Sequence, residues 1–529
     1  MKRFSIIALA SIILASCSQK EQVLRICAVS DVHGKYFDSL FVGKAVNEGS
    51  LSKASAYIKE LRKTSAGVIF IDNGDNLQGD DGAYYYNYVD TVSTHVYSRI
   101  ANYLKYDAVI VGNHAIEAGH PNYDRVRSQI NMPYLAANAI KPDGTTYFDD
   151  FTIVKKAGKK VAIIGMTNPN IRNWLGENLF YGMDFVKATP LAQELVDKIR
   201  AEYKPDYVVV AIHGGSGSGK EEYFESPGLY LANNLKGVDV VISGHDHRPN
   251  ATIAAENDST LFINPGSHCR NMAVATIPLG KKGSRKAELI SLKDKPSDPE
   301  YNAEIQDAFD KVKAFTSQVV CNLTAPIDLG DAYEGPNPYV SLIHKVQLKA
   351  TGAQLSFAAP LGKRNVIPAG DLLYCDLMKI YPFENQLYVI ELTGKQVKDY
   401  LEFSYDNWIN GKGPGYNYDS AAGLNYKVLC KRPKGSRIVI SGLTDGTPFD
   451  LNAKYTIAMT SYRASGGGYL LRDGVGLDPA KSDSYIVDKL GFIRDYCYDF
   501  LKEQGTYEPT LLTNWKFIDK PTIERPAQH

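Results

Sequence analysis

Residues 68–79 read Val68-Ile69-Phe70-Ile71-Asp72-Asn73-Gly74-Asp75-Asn76-Leu77-Gln78-Gly79, a β-favouring apolar run that passes without a break into Asp, Asn and Gly. An unbroken run of this kind fits a strand covered on both faces, as in a parallel sheet flanked by helices. Glycine immediately behind it marks a place where the backbone must turn sharply. The design recurs along the chain. Val23–Val29 leads to Asp31-Val32-His33-Gly34 and Ala108–Val111 to Gly112-Asn113-His114. Tyr207–Ile212 leads to His213-Gly214-Gly215 and Val238–Ile242 to Gly244-His245-Asp246-His247, while Val161–Ile164 is a further run. Helix-like segments separate these runs, so residues 22–290 are expected to form one layered α/β domain. In open α/β sheets ligands bind beyond the carboxyl ends of the strands, so these loops are expected to meet in one crevice.

A chain of 529 residues exceeds a single hydrophobic core of about 100–200 residues. Residues 293–318 open with Pro and charge and then place Ile305, Ala308, Phe309, Val312 and Phe315 at helical spacing. We read residues 291–320 as a linker helix. Beyond it, Leu372–Met378 and Gln386–Leu392 read as strands or short buried runs, Lys395–Phe403 as a helix, and 410–424 as Gly/Asn/Tyr-rich loops. Residues 321–529 are therefore expected to form a second, α+β domain.

Lys+Arg and Asp+Glu both number 59, so no net charge gathers a polyanion, and polymeric nucleic acid is excluded as a partner. The 35 tyrosines supply flat faces with polar tips, suited to ring-shaped ligands. Residues 1–17 carry Lys2 and Arg3 and then an apolar stretch, Phe4–Ala15, that is shorter than the roughly 20 residues needed to cross a bilayer. Leu14-Ala15-Ser16-Cys17 resembles the lipobox of bacterial lipoproteins. That resemblance implies an export signal at 1–17, a lipid on Cys17 as the membrane contact, and a place in the bacterial cell envelope. A monomer is expected. None of the six later cysteines forms a CxxC pair, and most are expected to be buried thiols.

Asp31, His33, Asp75, Asn113, His213, His245 and His247 all stand at strand ends. Carboxylates, neutral imidazoles and an amide oxygen, seven in all, suit two neighbouring divalent cations with positions left open for water and substrate. Such an N/O set accepts Zn, Mn, Co or Mg.

Asp31-Val32-His33, Gly74-Asp75-Asn76-Leu77-Gln78-Gly79, Gly112-Asn113-His114, His213-Gly214-Gly215 and Gly244-His245-Asp246-His247 resemble the ordered motifs of the calcineurin-like metallophosphoesterases. The two-domain layout is similar to the bacterial periplasmic 5′-nucleotidase / UDP-sugar hydrolase / 2′,3′-cyclic-nucleotide phosphodiesterase family. Tyr381-Pro382-Phe383-Glu384-Asn385, Leu392-Thr393-Gly394-Lys395 and Ser461-Tyr462-Arg463-Ala464-Ser465-Gly466-Gly467-Gly468-Tyr469 resemble its C-terminal domain. The resemblance implies an α/β metallophosphoesterase sandwich joined by the linker helix to an α+β substrate-binding domain. It implies that Asp31, His33, Asp75 and His247 hold one ion and that Asp75, Asn113, His213 and His245 hold the other, with Asp75 bridging. A metal-bound hydroxide would attack in line, and His114 would be the catalytic histidine. Glu117 stands where the family has the Asp that orients it, and Ala115 replaces a common Glu.

The resemblance further implies that aromatic side chains clamp a nucleobase, with Tyr462 as one and Tyr416 or Tyr418 as the other. Asn113 would meet the substrate, and Arg364 could reach a phosphate or carboxylate, although Ala358-Ala359-Pro360-Leu361-Gly362-Lys363-Arg364 departs from the family's Asn-Gly-Gly-Gly-Ile-Arg-like run by lacking the Asn and two glycines. A nucleotide 5′-monoesterase is the favoured expectation for a nucleotide or other small phosphate ester. A cyclic-nucleotide or nucleotide-sugar phosphodiesterase is the alternative. From another class, a non-catalytic nucleotide-capturing lipoprotein would be expected to have lost ligands, and all seven are present.

Overall fold

The computed structural model describes residues 20–39, 41, 47–254, 260–280, 283–361 and 365–519. The 1–17 leader with Cys17, and Arg364, lie outside the described residues.

Among the described residues, two six-stranded sheets form the N-terminal domain. In the first, Glu21–Val29, Ser65–Asp72, Ala108–Ile110 and Tyr134–Leu135 run parallel, and Asn271–Pro278 joins antiparallel beside Glu21–Val29. In the second, Lys159–Met166, Tyr207–Ile212, Val240–Ile242 and Leu261–Asn264 run parallel. Side-chain alternation explains the layering. Leu24, Ile26 and Ala28 of the first sheet and Val209 and Ala211 of the second share the core between the sheets. The alternate residues Cys27, Val29, Val68 and Phe70 face helices on one outer side. Val208, Val210 and Ile212 pack with the helix Ala188–Tyr203 on the other. Strands covered on both faces must be apolar at every position, which is why the runs showed no polar alternation.

The expected linker is two short helices, Pro299–Glu304 and Gln306–Thr316. Asp298 accepts from the backbone N–H groups of Glu300 and Tyr301 and starts the first. The C-terminal domain is built on a five-stranded sheet in the order Ser420–Ala422, Leu355–Ala358, Lys454–Thr460, Gln386–Thr393, Ile486–Phe492. Helices Pro338–Thr351, Gly394–Ile409 and Ile493–Gln504 accompany it. One expectation changes here. The 372–378 run splits into a strand, Gly370–Leu373, and a helix, Tyr374–Ile380, because the Asp376 carboxylate accepts the Leu373 N–H and starts a helical turn. Of the six later cysteines, Cys27, Cys269, Cys321, Cys430 and Cys497 are buried free thiols and Cys375 is half-buried.

The domains touch through the segment that follows Gly79. The Tyr84 hydroxyl donates to Asp495 at 2.6 Å, and the Arg494 guanidinium lies 4.9 Å from the Tyr84 ring centre. Tyr88 packs on Phe492 with ring centres 4.9 Å apart.

Candidate metal centre

The loops behind the parallel strands meet as expected, and their backbone is forced into shape to do so. Asp31, His33, Asp75, His245 and His247 all have φ between 47° and 69°, a region that ordinary side chains avoid. Backbone strain of this sort persists where surrounding structure holds it, typically at functional sites. Here Asp31 N–H donates to the Gly74 carbonyl and His33 N–H to the Asp75 carbonyl, both at 2.9 Å. The His245 N–H donates to the Asp31 carboxylate at 2.9 Å. Gly74, at φ 99°, has no alternative: a Cβ there would lie 2.7 Å from His213 Nδ1. A Cβ on Gly112 would lie 2.1 Å from the Asp75 carboxylate.

Two clusters result. Asp31, His33 and His247 form one, and Asp75, His213 and His245 the other, with the donor atoms in each mutually within 4.8 Å. Asn113 joins the second, its Oδ1 being 2.9 Å from His245 Nδ1. Asp31 stands between the clusters, its Oδ1 3.4 Å from His247 Nε2 and 3.9 Å from His213 Nε2. The donor set fits cations on its own chemistry. His213 Nδ1–H donates to the Asn73 carbonyl at 2.7 Å, so in the neutral ring Nε2 carries the lone pair. That Nε2 lies 2.9 Å from Asp75 Oδ2, is buried, and makes no hydrogen bond. His33 Nδ1 faces the Gln78 amide oxygen at 3.1 Å, which leaves its Nε2 lone pair pointing at His247 Nε2, 2.9 Å away. Lone pairs brought together in this way repel one another unless a cation lies between them.

Protonation agrees. Burial, aided by His114 and His247, pushes His33 down to about 4, so it is neutral at pH 7. Burial disfavours the charged forms of Asp31 and Asp75, but His213 and neighbouring imidazoles outweigh it and hold both carboxyls below the usual range.

His114 and Glu117 lie one turn apart on the short helix Asn113–Glu117. The His114 N–H donates to Asp75 Oδ1 at 2.9 Å, its Nδ1 is hydrogen-bonded to Glu117, and its Nε2 points back toward Asp75 Oδ2 at 4.0 Å. Burial alone would lower its pKa, but Asp75, Glu117 and Glu384 raise it to about 10.

Across the domain boundary, Tyr462 is half-buried and Tyr416 is 42 % exposed. Burial raises the pKa of both phenols, and the Glu225 carboxylate, which touches His245, adds to the rise. Tyr418 is a correction. It is 1 % exposed, stacks at 17° on Trp408 and donates to the Gly413 carbonyl, which makes it a core residue unable to clamp a base. Four residues outside the expected set also belong here. Trp174 stacks on His245 at 17°, and Glu225 meets its Nε2. His268 packs 5.4 Å from the His33 ring, and its N–H donates to the Asp31 carbonyl. The buried Arg463 donates twice to Asp419 and once to the Tyr416 carbonyl, locking the two tyrosine loops together. His268 carried a signal, since it follows the strand Leu261–Asn264 and Gly266 in the pattern of the other ligands.

Comparison with known proteins gives two domain matches. Residues 24–249 match the calcineurin-like phosphoesterase family and residues 316–471 the 5′-nucleotidase C-terminal domain. A trifunctional nucleotide phosphoesterase of Bacillus subtilis is 26% identical over 93% of this chain, which spans only 38% of that relative's length. A 2′,3′-cyclic-nucleotide 2′-phosphodiesterase/3′-nucleotidase of Haemophilus influenzae is 25% identical, covering 97% of this chain and 90% of that one. The crystal structure of a 5′-nucleotidase precursor from Thermus thermophilus superposes with a TM-score of 0.67 at 22% identity, over 94% of this chain and 100% of that one.

Proposed function

We propose, from a chain that is a calcineurin-like metallophosphoesterase with a 5′-nucleotidase C-terminal domain, that it is a hydrolase releasing phosphate from nucleotides at a dinuclear metal centre, with 5′-monophosphates favoured. The observation that carries this is the placing of two cation-ready clusters beside the His114–Glu117 pair.

Asp31, His33 and His247 would hold one ion, Asn113, His213 and His245 the other, and Asp75 would be shared. Two divalent ions there supply an activated water and neutralise the phosphate oxygens. The chain itself does the rest. Glu117 holds the Nδ1 side of His114, which leaves Nε2, 4.0 Å from Asp75 Oδ2, to give a proton to the leaving oxygen or stabilise its charge. Tyr462 and Tyr416 offer faces on which a base can stack. The activity for which the Haemophilus relative is named supports a second reading, hydrolysis of 2′,3′-cyclic nucleotides.

Attachment through a lipid on Cys17 in a bacterial envelope, as a monomer, belongs to the same proposal and is supported by the leader's sequence. No helix among the described residues is long and apolar enough to cross a membrane. Phosphate release from AMP, 2′,3′-cyclic AMP, UDP-glucose and a simple aryl phosphate, with and without chelator, tests the proposal. AMP should be turned over fastest and chelator should abolish all release. Turnover that is indifferent to chelator, or confined to the aryl ester, would contradict it.

A further inference from the structure

We infer that Glu225 is a positioning residue for His245: it fixes which ring nitrogen carries the proton, and thereby the strength of the second metal position. The inference rests on the two-metal reading above. His245 Nδ1 lies 2.9 Å from Asn113 Oδ1, inside the cluster with Asp75 and His213, and its Nε2 lies 3.1 Å from Glu225 Oε1. A neutral imidazole has one N–H. With the proton on Nδ1, the Nε2 lone pair would face a carboxylate oxygen and the two would repel. With the proton on Nε2, that N–H donates to Glu225, and the Nδ1 lone pair is presented to the cluster. The carboxylate therefore selects the binding tautomer and makes the imidazole a stronger donor. Among the metal-facing imidazoles, His213 and His33 have neutral acceptors in this role, the Asn73 carbonyl and the Gln78 amide. His245 differs in having a charged one.

The support is built, although Glu225 is partly exposed. The Glu225 carbonyl accepts from the Gly215 N–H at 3.1 Å and from the buried Asn168 amide at 3.0 Å. This ties the 214–227 loop to the base of the crevice, two residues from His213. On one face of the ring, Trp174 stacks with centres 5.2 Å apart, and its backbone N–H donates to the carbonyl of the buried Ile171. Two loops from neighbouring strand ends thus hold one ring, by one nitrogen and by one face.

Calorimetric titration of the chelator-stripped full-length protein with Mn²⁺ tests this without recourse to turnover. Wild type should bind two ions. Glu225→Ala should weaken one of the two by about 10–100-fold and spare the other. Glu225→Gln, whose amide oxygen can accept the same N–H, should recover most of the loss. The melting temperature of the metal-free protein should be the same in all three. Wild-type isotherms in Glu225→Ala, or a Gln variant as weak as the Ala variant, would overturn the inference. A wild type that binds fewer than two ions would instead overturn the two-metal premise itself.

Discussion

Under the proposed function His114 handles the leaving-group proton; it has one ring nitrogen on Glu117 and the other turned toward Asp75. It lies beside the clusters and not within them, so His114→Ala should leave bound metal intact while kcat falls by about 10²–10⁴-fold. Elemental analysis beside steady-state rates checks this, and an unchanged kcat would reduce His114 to a structural residue. Glu117→Gln should act in the same direction and less strongly. Tyr462 separates from Tyr418 in the same way. Stacking a base is worth about 1–3 kcal/mol, so Tyr462→Ala should lower kcat/KM for AMP by roughly 5- to 150-fold and barely touch an aryl phosphate. Tyr418→Ala removes a ring packed on Trp408 and should lower the melting temperature instead. If Tyr462→Ala damages both substrates equally and melts earlier, Tyr462 is packing and not a platform. At this scale the seven expected donors were legible because each follows a β run and five of them, His33, Asp75, Asn113, His213 and His245, adjoin a glycine, with Asp31 and His247 two residues from His33 and His245. Trp174 and Glu225 were not, since each lies in a long loop with no periodic pattern and meets His245 only through the fold.

Between elements, the strand ends set the site, and their order was readable because doubly covered strands are apolar throughout. Where a run was short, its apolar pattern fitted helix and strand alike. Tyr374–Ile380 became a helix through the side chain of Asp376, a local hydrogen bond that hydrophobicity does not encode. A buried ion pair joins the 416–419 loop of the C-terminal domain to the Ser461–Ala464 helix. Arg463 reaches Asp419 at 2.8 and 3.0 Å, and both side chains are about 4% exposed. Breaking such a pair strands a charge in the interior, so Arg463→Ala should cost about 3–5 kcal/mol and loosen Tyr416, whose carbonyl it also binds. Urea unfolding should show the loss. A change below about 1 kcal/mol would mean that Asp419 finds other partners as good.

For the whole molecule, the two domains act on one cleft. Glu117 and Trp174 from the first share a small cavity with Glu384, Gln386 and Ser461 from the second, and the Tyr84–Asp495 bond and Arg494 hold that boundary. The central claim is that two cations held by the first domain make the cleft a phosphohydrolase, and Asp75, which under the proposal both ions would share, is where that claim is most directly tested. The direct measurement strips the full-length protein with chelator and follows phosphate release from AMP as Mn²⁺ is added back, for wild type and Asp75→Asn. Wild-type activity should be absent after stripping and return as occupancy approaches about two ions per chain, while Asp75→Asn should hold both ions weakly and stay inactive. Full activity in the stripped protein, or full recovery at a single ion, would contradict the account.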